Sequence, residues 1–339
     1  MSPLIRPRRI GRAAGPVRAS ALAAAGACLA AGMFTVLHHP VTGARVRNMA
    51  AARLAGPLPA KAAGPSRAAA PSPGAGAAPA AAADPRKGVA AWNFTGARRS
   101  LRLSGASWFY TWAAGPNGIS APAGTRFVPM IWGPGSVTSA NLAEAQRHGH
   151  ILLGFNEPDM ASQSNLSPSA ALNLWPKLQA TGMQLGSPAV AFGADRPGGW
   201  LDRFMTGAHR RGYRVNFITL HWYGGDFRTA AAVRELKSYL QAVWQRYRKP
   251  IWLTEYALTD FGTSPARYPT WSQQAAFVTA STAMLERLPY LRRYAWFALP
   301  SNSTDGTVGL YRSGARPTPA GSAFRLAPVP SAGPDVTGL

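Results

Sequence analysis

The chain has 339 residues, 36 lysines and arginines against 13 aspartates and glutamates, a net charge of +23 and one cysteine. That length holds one large domain or two ordinary ones. A single Cys excludes an internal disulfide scaffold and a Cys-rich zinc site. Arginines beyond position 87 are scattered, paired only at Arg98-Arg99, Arg210-Arg211 and Arg292-Arg293, which argues against a nucleic-acid-binding surface.

In chain order, Arg6, Arg8, Arg9, Arg12 and Arg18 precede an uncharged stretch, 20–37, rich in Ala, Gly and Leu. A positive flank before an apolar segment is the layout of an export signal. Its helical length of about 27 Å also approaches a hydrocarbon core of roughly 30 Å. Residues 1–37 therefore read as an export signal or a single membrane anchor. The arginine excess ahead of the segment places the rest outside the cell, secreted or anchored to the outer face of the cytoplasmic membrane. Arg8-Arg9 is at most part of a twin-arginine signal, and Cys28 reads as a membrane-buried thiol. Residues 38–86, dominated by Ala, Pro and Gly, read as a disordered linker. Its contour limit is on the order of 160 Å at ~3.3 Å per residue.

From residue 87 a βα rhythm begins. Short, continuous apolar runs at 88–92, 107–111, 126–131, 151–155, 184–187, 216–221, 251–254 and 294–297 have the pattern of strands covered on both faces. Helical patterns fall between them at 139–148, 168–180, 229–247 and 272–288. Eight such units in about 240 residues predict an α/β fold, a (β/α)8 TIM barrel over 87–326, followed by a flexible tail at 327–339. An open doubly wound sheet loses support because neither a Gly-x-Gly-x-x-Gly after the first strand nor a P-loop occurs.

In such a barrel the working residues lie at the C-terminal strand ends. There the fourth strand offers Asn156 and Glu157, the sixth His221, Trp222 and Tyr223, and the seventh Glu255. Trp132 follows the third strand and Trp296 ends the eighth. Two glutamates ending apolar strands suit glycosidic hydrolysis, which needs one carboxyl to protonate the leaving oxygen and another to attack or position water. Partial desolvation raises a glutamate's pKa and favours the acid role. Trp132, Trp222 and Trp296 are candidate platforms for sugar faces, and Asn93, after the first strand, is a further cleft candidate. Trp252 lies inside a strand, and Trp175, Trp200, Trp244 and Trp271 lie in helices, so packing accounts for them. Asp159 serves either to cap a loop or to contact ligand.

Leu153–Asp159 (Leu-Gly-Phe-Asn-Glu-Pro-Asp), Gly186-Ser187-Pro188-Ala189, His221-Trp222-Tyr223-Gly224, Thr254-Glu255-Tyr256 and Tyr294-Ala295-Trp296-Phe297 together resemble glycoside hydrolase family 128. This family lies within the (β/α)8 retaining glycosidase clan. The resemblance spans about residues 87–326 and implies an endo-β-1,3-glucanase. Glu157 would be its acid/base, Glu255 its nucleophile and Asn156 a donor to the sugar 2-hydroxyl. His221 and Tyr223 would bond the nucleophile or sugar. A polysaccharide, β-1,3-glucan, is the expected partner. No cofactor or metal, no nucleic acid, contact with a membrane only through the N-terminal segment, and a monomeric state are also expected. Two rivals stay open: a retaining glycosidase on another β-glycan, and a wall-tethered carbohydrate-binding protein with little turnover. No Gly-x-Ser-x-Gly elbow supports a serine hydrolase.

Overall fold

The computed structural model describes residues 84–301 and 306–327. The expected export segment, nearly all of the linker and the tail after 327 lie outside the described residues. Among the described residues, no helix is long and apolar enough to cross a membrane.

Eight parallel strands form the frame: β1 (Lys87–Ala90), β2 (Trp108–Tyr110), β3 (Arg126–Phe127), β4 (Ile151–Leu152), β5 (Gln184–Leu185), β6 (Ile218–Gly224), β7 (Ile251–Leu258) and β8 (Leu291–Trp296). Six pair in the order β3-β2-β1-β8-β7-β6, and β4 pairs with β5. Parallel bridges from Met130 to Leu153 and from Gly186 to Phe217 join the two sets. The result is a closed, TIM-barrel-like ring. Helices α1 (Ala97–Ser104), α2 (Ser139–Arg147), α3 (Pro168–Gln179), α4 (Trp200–Arg210), α5 (Thr229–Tyr247), α6 (Trp271–Leu285) and α7 (Pro319–Leu326) accompany it. A short hairpin, β9 (Tyr311–Arg312) and β10 (Arg316–Pro317), precedes α7.

Alternation along the strands divides the apolar side chains into two layers. Trp108, Tyr110, Met130, Leu153, Phe217 and Trp252 belong to one buried cluster, whereas Phe109, Leu152, Leu253 and Tyr294 belong to the larger one. Trp175 and Trp252 are buried, as packing residues should be. The middle of the ring leaves no room for side chains at Gly154, where an added Cβ would lie 2.8 Å from the carbonyl oxygens of Gly186 and Ser187.

Several boundaries differ from the sequence expectation. Regular pairing in β3, β4 and β5 covers two residues each, and single bridges carry the chain onward from there. By contrast, β6 and β7 run to Gly224 and Leu258, past the expected 221 and 254. A register shift at Leu220/His221 accompanies that extension. Helix α1 is absent from the apolar pattern because Ser100 and Ser104 form half of its buried face beside Ala97 and Leu101. The left-handed glycines Gly96 and Gly105 bound it.

Among the described residues, packing already includes Asp84, inside the expected linker, and Arg86 is a structural plug. Its guanidinium donates to the carbonyl oxygens of Leu285, Glu286, Leu288 and Leu291 at 2.8–3.2 Å, satisfying groups left over at the end of α6. It also pairs with the Glu286 carboxylate at 3.3 Å. Next to it, buried Lys87 donates to the Phe324 carbonyl and lies 4.4 Å over the Phe324 ring, docking α7; burial lowers its pKa to about 8.

Replacing Arg86 with Met is therefore expected to cost about 3 kcal/mol of folding stability, since it strands buried carbonyls and a carboxylate. Equilibrium urea unfolding measures this directly.

Candidate active site

At the C-terminal rim of the ring, β4, β6 and β7 bring Glu157, His221 and Glu255 together. One ligating atom of each lies within 4.8 Å of the others. His221 Nδ1 is 2.9 Å from Glu157 Oε1, and its Nε2 is 3.5 Å from Glu255 Oε1. The His221 side chain is 0% exposed, Glu157 12% and Glu255 6%, so the trio sits in a largely dry site that opens at Glu157.

Backbone geometry holds Glu157 in place. Its φ of 39° lies in the left-handed region, costly for a residue with a side chain and sustained only by surrounding contacts. Its amide donates to the Ala189 carbonyl at 2.7 Å, while Asn156 and Ala189 form a parallel bridge. The β4 and β5 ends are thus stitched together at the residue that carries the carboxyl.

Glu255 is held by three donors. Tyr110 Oη donates to its Oε1 at 3.0 Å and Trp112 Nε1 to the same oxygen at 2.7 Å. Tyr223 Oη donates to Oε2 at 2.5 Å. Burial, strengthened by the Glu255 charge, raises both tyrosine pKa values far above the usual phenol, so they remain donors. Burial likewise raises the Glu157 pKa; the His221 hydrogen bond offsets part of that, while the Glu255 charge reinforces it. Burial alone would lower the His221 pKa, but the adjoining carboxylates of Glu255 and Glu157 raise it overall.

The same three side chains meet the distance requirement for a cation site. The donor set fits one poorly. The Glu255 oxygens already accept three X–H bonds, which occupy most of a carboxylate's roughly four lone-pair directions.

Asn156 is 3% exposed. Its Nδ2 donates to Gln163 Oε1 at 3.3 Å, and its buried Oδ1 has no hydrogen-bond partner in the protein. The free Oδ1 is an acceptor, and the second N–H of Nδ2 leaves the expected donor open as well. Trp132 is half-buried, against the inner cluster. Two expected platforms are core residues instead. Trp222 is 6% exposed and stacks on Phe277. Trp296 is fully buried against Tyr256 and Phe277, and its Nε1 donates to the Val308 carbonyl. Strand alternation turns both outward, beneath α6. Asn93 is exposed, in a shallow groove with Phe94 and Ile119 whose walls include neither glutamate.

The aromatic wall missing from the sequence reading comes from β1, β2 and β8. Trp112 lies 6.2 Å from Trp92 and 5.8 Å from Phe297, ring centre to ring centre. Phe297 also meets Tyr223 edge-on at 5.7 Å. Tyr110 ends β2, and Trp112 follows two residues on with a left-handed φ of 54°. The second strand's C-terminus carries no acid to draw notice, and strand alternation covers Tyr110 but not Trp112.

Known proteins agree with this architecture. The family model described as glycosyl hydrolase catalytic core matches residues 89–324. An endo-β-1,3-glucanase of glycoside hydrolase family 128, subgroup I, from Amycolatopsis mediterranei, solved with laminaripentaose, is 60% identical. That alignment covers 72% of this chain and 99% of the other, with a TM-score of 0.69. A subgroup II endo-β-1,3-glucanase from Sorangium cellulosum is 30% identical over 72% of this chain and 98% of its own, with a TM-score of 0.61. Alkali-sensitive linkage protein 1 of Schizosaccharomyces pombe is 30% identical over 213 residues, 60% of this chain; the match spans 36% of that protein. The fold and site define a glycoside hydrolase, and the chain belongs to the glycosyl hydrolase catalytic core family, within glycoside hydrolase family 128.

Two substitutions separate wall from core. Trp112→Phe removes a donor to Glu255 and is expected to lower kcat roughly 100-fold while the melting temperature holds. Trp296→Ala is expected to cost about 3–5 kcal/mol of stability, read by denaturant unfolding, because it empties a buried indole site.

Proposed function

We propose that this enzyme is a retaining endo-β-1,3-glucanase in which Glu157 is the acid/base and Glu255 the nucleophile. The approach of the two carboxylates to within 4.8 Å carries the reading. Retaining glycosidases separate these groups by ~5–5.5 Å, whereas inverting enzymes leave ~6.5–9.5 Å for a water. Substrate choice follows relatives solved with laminarioligosaccharides. The Amycolatopsis enzyme was also solved with one or other of two glutamates replaced, and those two are separated by nearly the same length of chain as Glu157 and Glu255.

In the first step Glu255 attacks the anomeric carbon while Glu157 gives its proton to the departing glycosidic oxygen. A covalent glycosyl-enzyme results. Water then displaces Glu255, with Glu157, now ionised, accepting its proton. Tyr110, Trp112 and Tyr223 orient Glu255 and steady its charge before attack and after release. His221, hydrogen-bonded to Glu157 and facing Glu255, bridges the two side chains, whose charges favour its protonated form. The unpaired Asn156 Oδ1 receives the sugar 2-hydroxyl, a contact that strengthens as charge develops at the neighbouring carbon. Residues 1–37 export or anchor the enzyme, so that it acts outside the cell at the end of the 38–86 tether.

Glu255→Ala is expected to abolish turnover of laminarin, and added azide to yield a glycosyl azide of inverted configuration. Glu157→Gln should slow laminarin far more than an aryl laminarioside whose leaving group needs no proton. Full activity of either variant would remove that role. A panel of laminarin, β-1,4-glucan, mannan and xylan reports linkage. The pH profile carries a sign as well. Glu157 must be protonated for the first step, and its pKa is raised, so the alkaline limb of kcat/KM lies above the range of an ordinary glutamate and activity falls as pH rises through it.

A further inference from the structure

Charge is spread unevenly along the chain. Stretches 85–143 and 287–304 contain no aspartate or glutamate. They supply β1, β2, β3 and β8, which are neighbours in the ring, so these strands and the segments between β1 and β3 carry basic residues and no acid.

Two arginines of this sector, Arg126 and Arg293, stand at the end of the ring opposite the catalytic rim, and strand register fixes where they face. Arg126 opens β3 and pairs with Trp108; Arg293, in the first half of β8, pairs with Trp252. Paired residues of neighbouring strands share a face, and both tryptophans belong to the inner cluster. The two arginines therefore line the mouth of the ring at its N-terminal end.

Arg293 is half-buried there, its guanidinium carbon 4.4 Å from the Trp252 ring centre and 5.8 Å from that of Trp108. Gly88 makes room for this aromatic floor, since a Cβ on it would lie 2.2 Å from the Trp108 ring. The Trp108 Nε1–H donates to the Arg86 carbonyl at 3.1 Å, which fixes the floor from the side of β1. Stacking uses the flat face of a guanidinium and leaves its five in-plane N–H donors free. Among the described residues, neither the Arg293 nor the Arg126 side chain makes a hydrogen bond or an ion pair.

No carboxylate answers these charges. The other inward positions of the layer, Gly88, Ile151, Gln184 and Phe217, are uncharged. The acids of this end lie elsewhere: Asp84 approaches Tyr294, of the outer layer, and Glu286 pairs with Arg86. Burial, reinforced by the Arg126 charge, pushes the Arg293 pKa down to about 10. A half-buried cation with unused donors, beside a second cation and no acid, is a costly arrangement that a bound oxyanion would complete.

We propose that the N-terminal mouth of the barrel binds a phosphate group, held by the Arg293 fork and the charge of Arg126 over a floor of Trp108 and Trp252. A phosphate dianion matches the two positive charges, and its oxygens match the paired N–H geometry of a guanidinium. The site is separate from the glutamates and stands whether or not the glucanase reading holds.

The full chain is titrated calorimetrically with sodium phosphate, and in parallel with glycerol phosphate, at neutral pH and constant ionic strength. Wild type is expected to show saturable binding of one phosphate per chain. Arg126→Gln, at an exposed position, should weaken it about tenfold, the factor one charge-assisted contact supplies. Arg293→Met should abolish it, with near-ultraviolet circular dichroism confirming that each variant is folded; if Arg293→Met does not fold, Arg126→Gln decides. Glycerol phosphate binding as tightly as the free ion assigns the site to phosphate carried on a larger molecule, and binding of inorganic phosphate alone assigns it to the ion. No saturable binding by wild type, or an affinity unaltered in the folded variants, would overturn the proposal.

Discussion

Two carboxylates held within 4.8 Å of each other in a nearly dry site are the constraint on which the rest of this molecule depends. Left alone, such a pair would repel, and one member would take up a proton. Here the conflict is resolved asymmetrically. Glu255 receives three hydrogen bonds from groups that stay donors across the working pH range. Glu157 receives one contact, from His221, and remains the more exposed of the two. Two identical side chains thus have different surroundings: Glu255 is enclosed by donors, whereas burial raises the pKa of Glu157.

The barrel exists, for this purpose, to bring strand ends together with small tolerance. Glu157 adopts a left-handed backbone that an unsupported residue would abandon, and the β4–β5 stitching through Ala189 opposes that relaxation. The opposite end supplies the anchoring. Arg86 closes the end of α6, and Lys87 binds α7 to β1, so the strands that aim the site are fixed where they begin. Close approach at Gly154 adds a packing requirement in the same strand run that ends in Glu157.

Much of this was legible in the residues. Acids are scarce in the chain, so two glutamates ending apolar runs stood out, and their placement on a common rim followed from a βα count. The errors have a shared physical origin. A strand end shows which residue types are present but not which of its two alternating faces looks into the ring. Strand β6 is such a case: His221 and Tyr223 reach the site while Trp222, between them, packs on Phe277. Trp296 was misplaced on the same ground. Tyr110 and Trp112 escaped notice because aromatic residues at the end of a buried strand are ordinary core material until a carboxylate is found across the barrel. Helix α1, with serines on its buried face, gave too weak a periodic signal to register.

The central claim concerns the stereochemistry that this spacing dictates. Proton NMR of laminarin digestion, recorded within the first minutes and before mutarotation, reports the anomeric configuration of the newly formed reducing ends. The account predicts that the β-anomer accumulates first and only later relaxes toward equilibrium. First appearance of the α-anomer would mean that water attacks directly, and would contradict the assignment of Glu255 as a nucleophile.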